Sequence, residues 1–152
     1  MKLNLLKLKR LLPIGLLFIT WFLLSATVPT SSSTKENRKR FVGIWEMVVA
    51  ENESGIELRV PPGYLKFFGK DGSYMFVIVT PEGTFNSQQG SFKVLSEDIY
   101  SENIKFSINP NLRNAASKVS YSFLNEDTLQ IKGTVNGVPF VEKWKRVKTP
   151  VI

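Results

Sequence analysis

The sequence predicts an all-β fold, an eight-stranded antiparallel up-and-down barrel. From Phe41 onward, short runs rich in β-branched and aromatic residues alternate with turn signals at intervals of about ten residues, which is typical of a sandwich or barrel. Each run has one apolar face, and none shows a helical period. Closure into a barrel is favoured because it removes the unpaired strand edges that an open sheet would expose.

Residues 1–28 are predicted to be a signal peptide or an N-terminal membrane anchor. The basic segment MKLNLLKLKR precedes the apolar run LLPIGLLFITWFLLSATV, which ends in small residues, and this order is typical of an export signal. The run just reaches the roughly 18 residues that can span a bilayer, so an uncleaved anchor is the alternative to cleavage. In either case the domain is expected to be exported, and to be periplasmic, outer-envelope, secreted or inner-membrane anchored.

Residues 29–40, PTSSSTKENRKR, precede the first strand-like run. They are interpreted as a polar basic linker. The first forty residues carry eight basic side chains and one acidic one, which accounts for the whole formal net charge of +7. Residues 41–152 carry twelve of each sign and are neutral. No nucleic-acid partner is therefore expected, and contact with a membrane is expected only through an uncleaved N-terminal segment.

Histidine and cysteine are both missing from the sequence. Their absence excludes thiol nucleophiles, zinc sites of the cysteine and histidine kinds, and histidine-based triads. It also excludes a lipid anchor attached through cysteine. We therefore expect no cofactor, no metal site and no enzymatic activity.

Eight strand-like runs make up the predicted domain, residues 41–148. In order they are FVGIWEMVVAE, GYLKFF, SYMFVIV, QQGSFKVL, NIKFSI, KVSYSF, TLQIKGTV and VPFVEKWKRV. A turn of sequence GKDG precedes the third run, and a second turn of sequence NED joins the sixth to the seventh. The last two are joined by Asn136 and Gly137, a pair that strongly favours a two-residue hairpin turn. The irregular stretch NPNLRNAAS is expected to lie at one barrel mouth.

Alternation within the runs predicts which side chains point into the barrel. Lys66 is predicted to point out. The predicted inward residues are Leu65, Phe67, Ile104, Phe106, Ile108, Val119, Tyr121, Phe123, Leu129, Ile131 and Val135.

Three residues are predicted to close the barrel: Gly43, Trp45 and Arg146. In an up-and-down barrel the first and last strands are neighbours, so Arg146 can lie over the face of Trp45. Such a cation–π contact contributes about 0.5–2 kcal/mol. Gly43, which has no side chain, is expected to leave room for the indole.

A Gly-x-Trp start with a late arginine resembles the lipocalin and wider calycin superfamily. Together with GKDGSY, QQGSFKV, IYSENI and VEKWKRV, it resembles more closely a lipocalin-like domain family of unknown function from exported proteins of gut-type Gram-negative bacteria. The resemblance covers residues 41–148. It implies a small barrel outside the cytoplasm with an apolar ligand in its cup. Unlike secreted animal lipocalins, this chain has no disulfide and is shorter.

The candidate lining of the cup consists of aromatic residues and two carboxylates. These residues are Phe67, Phe92, Glu102, Phe106, Tyr121, Phe123, Phe140, Glu142 and Trp144. The aromatic residues either line a ligand pocket or simply fill the core. The carboxylates either orient a polar ligand end or act as an acid and base pair. In the alternative interpretation, one lies in water at the rim and the other pairs with Arg59 or Arg113.

Two functions are compatible with this pattern. The first is a module that binds a small apolar or amphipathic ligand in the cup. The second is an envelope interaction or structural protein with a packed interior, whose rim loops VPPG and NPNLRNAAS meet another protein. A continuous void of at least about 300 Å³ would favour the first function.

Overall fold

The computed structural model describes residues 31–51, 54–135 and 138–148. The predicted signal segment, the Asn136 and Gly137 turn and the inward side chain of Val135 lie outside this description. The elements are α1 Ser31–Phe41, β1 Gly43–Glu51, β2 Glu57–Arg59, β3 Tyr64–Phe68, β4 Ser73–Thr80, β5 Gly83–Val94, β6 Ile99–Ser107, a 3-10 helix Pro110–Leu112, β7 Ala116–Asn125, β8 Thr128–Val135 and β9 Val138–Arg146. Within these ranges no helix is both long and apolar enough to cross a membrane.

Eight of the strands form a closed antiparallel barrel, which confirms the predicted fold. The order is β1, then β3 to β9 in sequence, and β9 returns to pair with β1. The short strand β2 pairs with the end of β1 that β3 leaves free. Its three residues are all exposed. It was not among the predicted runs, although apolar and charged residues alternate in IELRV, residues 56–60.

The inward faces of β7 and β8 agree with the alternation in the sequence. Val119, Tyr121, Leu129 and Ile131 are buried, and Phe123 is half-buried. The two strands pair regularly from Ser120 opposite Lys132 to Phe123 opposite Leu129, which keeps alternate side chains on one face of the sheet.

Strand β6 changes face part of the way along. Gln89 pairs with Phe106 whereas Gly90 pairs with Ile104, so Lys105 is an extra residue, a β-bulge. Gly90 makes this possible because a Cβ there would lie 2.0 Å from the Asn103 carbonyl oxygen.

Beyond the bulge of β6, Ser107 points inward and is buried. Phe106 and Ile108 point outward and are 36% and 58% exposed. Their predicted inward orientation is wrong, because the extra residue reverses the alternation.

Strand β3 also shows the opposite face from the one predicted. Lys66 and Phe68 are buried in the interior, and Leu65 and Phe67 are on the outside. Lys66 pairs in register with the buried Trp45, and paired residues share a face of the sheet. The prediction is wrong because the charge of Lys66 is matched inside the barrel by Glu102, with Nζ 2.8 Å from Oε1.

Residues 31–40, interpreted from the sequence as linker, form most of helix α1, which covers the closed end of the barrel. Only its last residue, Phe41, enters the core. The helix therefore lacks the periodic apolar face from which it could have been predicted. Phe41 is fully buried and contacts five rings at centroid distances of 4.8–5.9 Å: Phe68, Phe92, Tyr100, Tyr121 and Phe123. Arg38 Nη2 donates to the Lys70 carbonyl at 2.9 Å and holds the helix to the β3–β4 turn.

The predicted contact between Trp45 and Arg146 is confirmed. The two residues pair in register, and the guanidinium carbon lies 4.2 Å from the indole centroid. The role expected for Gly43 needs correction. A Cβ at Gly43 would lie 2.9 Å from Arg146 Nη1, so the glycine makes room for the guanidinium and not for the indole.

Candidate functional site

The barrel encloses a cavity of about 630 Å³ that opens at the end opposite helix α1. Its wall is mainly apolar and is formed by Phe76, Ile104, Val119, Ile131 and Phe140. The loop that follows β6 lies at the mouth, as expected, because Asn109, Asn111 and Leu112 border the same space. The interior of the barrel is therefore not fully packed.

A buried ion pair lies at the floor of the cavity. Lys66 Nζ is 2.8 Å from Glu102 Oε1, and the two residues are 7% and 5% exposed. Tyr100 donates its hydroxyl hydrogen to the same carboxylate oxygen at 2.9 Å. Burial, together with the negative charge of Glu102, raises the pKa of Tyr100 well above its usual value, so the phenol remains a hydrogen-bond donor.

Aromatic rings surround the Lys66 ammonium. The nitrogen lies 5.4–5.9 Å from the ring centroids of Phe68, Tyr74, Phe76 and Trp144. Ring faces attract a cation, and more strongly when water is excluded. This part of the barrel therefore holds one positive charge among aromatic side chains, next to a carboxylate.

Glu142 is the second carboxylate of the cavity floor. Its Oε2 accepts a hydrogen bond from Trp144 Nε1 at 3.0 Å, and the residue is half-buried and borders the cavity. Burial raises the pKa of Glu142, and the nearby charge of Glu102 adds to the rise. The positive charge of Lys66 and the Trp144 hydrogen bond act in the opposite direction but do not cancel the effect.

Four of the nine predicted lining residues border the cavity: Glu102, Phe140, Glu142 and Trp144. Three others are in the core and do not border the cavity: Phe92, Tyr121 and Phe123 pack around Phe41. They were predicted to line the cup but instead fill the closed end.

The remaining two predicted lining residues are on the outside of the barrel. Phe67 borders a depression on the outer surface with Ile44 and Met75, and Phe106 is exposed beyond the β6 bulge. Phe67 was assigned to the cup because Lys66 was expected to point out, and Phe106 because alternation was extended across the β6 bulge.

Neither arginine proposed as a partner for a carboxylate is used in that way. Glu102 pairs with Lys66. Arg113 donates from Nε to the Ser107 carbonyl at 2.8 Å, and Arg59 is exposed. Lys66 is the residue of the cavity floor that alternation missed. The one signal for it in the sequence was an inward carboxylate that needed a buried cationic partner.

No group of three or more acidic residues in the described part of the chain is arranged to hold a metal ion. The floor of the cavity therefore consists of one ion pair, one additional carboxylate and the aromatic rings around them. Such a floor can orient the polar end of a molecule whose apolar part lies against the wall.

Residues 40–152 match the model of DUF4488, a domain of unknown function. The chain belongs to the DUF4488 family. This agrees with the resemblance to a lipocalin-like family of unknown function. Among curated proteins, the DUF4488 chain has no significant match.

Solved structures similar to this DUF4488 chain are small β-barrels. A lipocalin-like protein from Bacteroides uniformis aligns with a TM-score of 0.55 and 14% identity, over 71% of this chain and 99% of that one. A redesigned β-barrel aligns with a TM-score of 0.52 and 14% identity, over 73% and 95%. At these identities the likeness shows the fold alone.

Proposed function

We propose that the barrel binds a small molecule with an apolar body and one polar end. The observation that carries this proposal is the open cavity of about 630 Å³, which lies within the range of about 300–1,000 Å³ typical of ligand pockets. A fully packed interior would instead have favoured the interaction-protein alternative.

The distribution of polar groups supports binding in a fixed orientation. The wall is mainly apolar between the mouth and the floor, and the charged groups are concentrated at the floor. An apolar body gains about 25 cal/mol per Å² of surface removed from water, and a few polar groups at one end then fix its direction.

A binding role is favoured over catalysis by the chemistry of the site. The chain has no histidine or cysteine to serve as base or nucleophile. Glu102 is already engaged by both Lys66 and Tyr100, so it is poorly placed to accept a proton from a substrate.

Thermal unfolding with candidate ligands tests this function. A ligand that binds only the folded state raises the melting temperature by mass action, so fatty acids, sterols, amphipathic amines and aromatic metabolites form the screen. Phe140→Ala removes part of the cavity wall and should weaken binding. Phe106→Ala, which is outside the barrel, is the matched control and should not. If no compound raises the melting temperature, the interaction-protein alternative is favoured instead.

We also propose that the barrel acts outside the cytoplasm. This rests on the basic and then apolar order of residues 1–28. Cell fractionation and mass spectrometry of the mature chain test it: cleavage gives a new amino terminus between about Ala26 and Thr34, and an intact Met1 on a membrane-bound chain indicates an anchor. A cytoplasmic pool of the protein would contradict both versions.

A further inference from the structure

We propose that the polar end of the ligand is a protonated amine and that Glu142 is its counter-ion. This inference rests on the proposed binding function. It follows from the charges at the cavity floor: Lys66 and Glu102 compensate each other at 2.8 Å, whereas Glu142 has no ion pair in the described part of the chain. The floor therefore carries a net charge of either zero or minus one, according to the protonation of Glu142.

The groups that face Glu142 come from three strands. Lys66 is on β3, Tyr100 and Glu102 are on β6, and Trp144 is on β9 with Glu142 itself. The one positive charge among them is bound to Glu102. A ligand anion would enter beside two carboxylates and would compete with Glu102 for Lys66. A ligand cation gives each positive charge a carboxylate of its own.

The rings around the floor suit a cation as well. Phe76 and Trp144 both border the cavity and meet edge to face, with centroids 5.7 Å apart. The Lys66 ammonium already lies within 5.8 Å of both rings. A second ammonium bound at Glu142 would lie in the same aromatic surroundings, which compensate part of its lost hydration.

The chemistry of Glu142 narrows the ligand class to amines that still carry N–H groups. A carboxylate offers about four lone-pair sites, and Trp144 Nε1 occupies one of them. A primary or secondary ammonium can donate to the others, and such charge-assisted hydrogen bonds are about twice as strong as neutral ones. The ligand class is therefore an alkyl or arylalkyl amine.

Three probes with the same chain test the inference by titration calorimetry below their aggregation concentrations: decylamine, decanol and decanoate. We expect decylamine to bind roughly tenfold or more tightly than decanol, since about 1.4 kcal/mol corresponds to tenfold, and decanoate to bind most weakly. Glu142→Gln should reduce the affinity for decylamine to that for decanol and leave decanol unchanged. Glu82→Gln, at an exposed turn, is the control for general surface attraction.

The protonation of Glu142 gives a second readout. Binding of an ammonium favours the ionised carboxylate, so a proton is released and the affinity for decylamine rises with pH while Glu142 titrates. Calorimetry in two buffers of different ionisation enthalpy measures that proton, and Glu142→Gln should abolish its release. Decanoate binding as tightly as decylamine, or an unchanged affinity in Glu142→Gln, would overturn the inference but leave the binding function intact. Failure of all three probes would overturn the amine inference, whereas the binding function fails only if no compound in the melting-temperature screen binds.

Discussion

Arg146 contacts Trp45 and the end of helix α1 with the same guanidinium group. Its carbon lies 4.2 Å from the indole centroid, while Nη1 and Nη2 donate to the carbonyls of Val42 and Arg40 at 3.0 and 2.5 Å. The carbonyls at a helix C-terminus carry the negative end of its dipole and are satisfied well by a cation. One side chain thus joins the last strand, the first strand and the helix that covers the closed end.

Loss of this junction should destabilise the fold. Arg146→Met keeps the aliphatic packing but removes the charge and its hydrogen bonds, which contribute about 1.5–3 kcal/mol each when a charged group is involved. Trp45→Phe removes the Nε1 donor, which is 2.8 Å from the Phe41 carbonyl. We expect both variants to unfold at a lower temperature and at a lower denaturant concentration than the wild type.

The control for these two variants is Lys145→Met, at the neighbouring position of β9, where the side chain is exposed. Surface substitutions of this kind usually change stability by about 0.5 kcal/mol or less. Unchanged melting temperatures in both Arg146→Met and Trp45→Phe would show that the junction does not stabilise the barrel.

Any substitution of Gly43 should destabilise the fold, for two reasons that can be tested separately. Its φ of 135° disfavours other residues, and a Cβ would lie 2.9 Å from Arg146 Nη1. Gly43→Ala should therefore lower stability by about 1–3 kcal/mol. Gly83→Ala isolates the backbone effect, because Gly83 has a φ of 151° and open space around it.

A double-mutant cycle of Gly43→Ala with Arg146→Met measures the steric part. The loss caused by Gly43→Ala should be smaller when Arg146 has been replaced by the uncharged, unbranched methionine. Additive losses would mean that the glycine is required for its backbone conformation alone.

The features that could be predicted from the sequence are those that local alternation determines. β7 as far as Phe123, β8 and β9 alternate regularly around their inward residues, so the faces of Tyr121, Leu129 and Trp144 follow directly. The contact between Trp45 and Arg146 could be predicted because the first and last strands of an up-and-down barrel are adjacent.

The features that could not be predicted depend on residues far apart in the chain. The face of Phe106 is set by the close approach of Gly90 to Asn103 on the adjacent strand. The inward position of Lys66 depends on Glu102, 36 positions later. Helix α1 contributes only Phe41 to the core, and one buried residue makes no periodic pattern.

Phe41 is expected to be essential to the closed end of the barrel. It is fully buried among five rings, so Phe41→Ala should lower the free energy of unfolding by about 3–5 kcal/mol. Phe106→Ala makes the same chemical change at a side chain that is 36% exposed and should have a much smaller effect. If equilibrium denaturation gave the same decrease in the free energy of unfolding for both variants, Phe41 would not be the essential core residue of the closed end.

Glu142 should make the unliganded barrel less stable as pH rises. Burial raises the pKa of Glu142 in the folded state, whereas the unfolded chain has the ordinary value of about 4.3. The folded state then binds the proton more tightly, so this contribution to stability is complete below the unfolded pKa and is lost as pH rises through the folded pKa. Glu142→Gln keeps an oxygen that can accept the Trp144 hydrogen bond and removes the ionisation. We therefore expect it to be more stable than the wild type near neutral pH.

The comparison requires melting temperatures of both proteins from about pH 4 to pH 8. The difference between them should be small at the acid end, where Glu142 is protonated in the wild type, and should grow in favour of the variant as the carboxylate ionises. Glu126→Gln, an exposed residue in the turn between β7 and β8, serves as the control and should follow the wild type throughout. Parallel curves for wild type and Glu142→Gln would mean that the carboxylate ionises in the folded cavity without penalty. In that case burial would not destabilise the ionised Glu142, and a ligand ammonium would gain nothing by neutralising a buried charge.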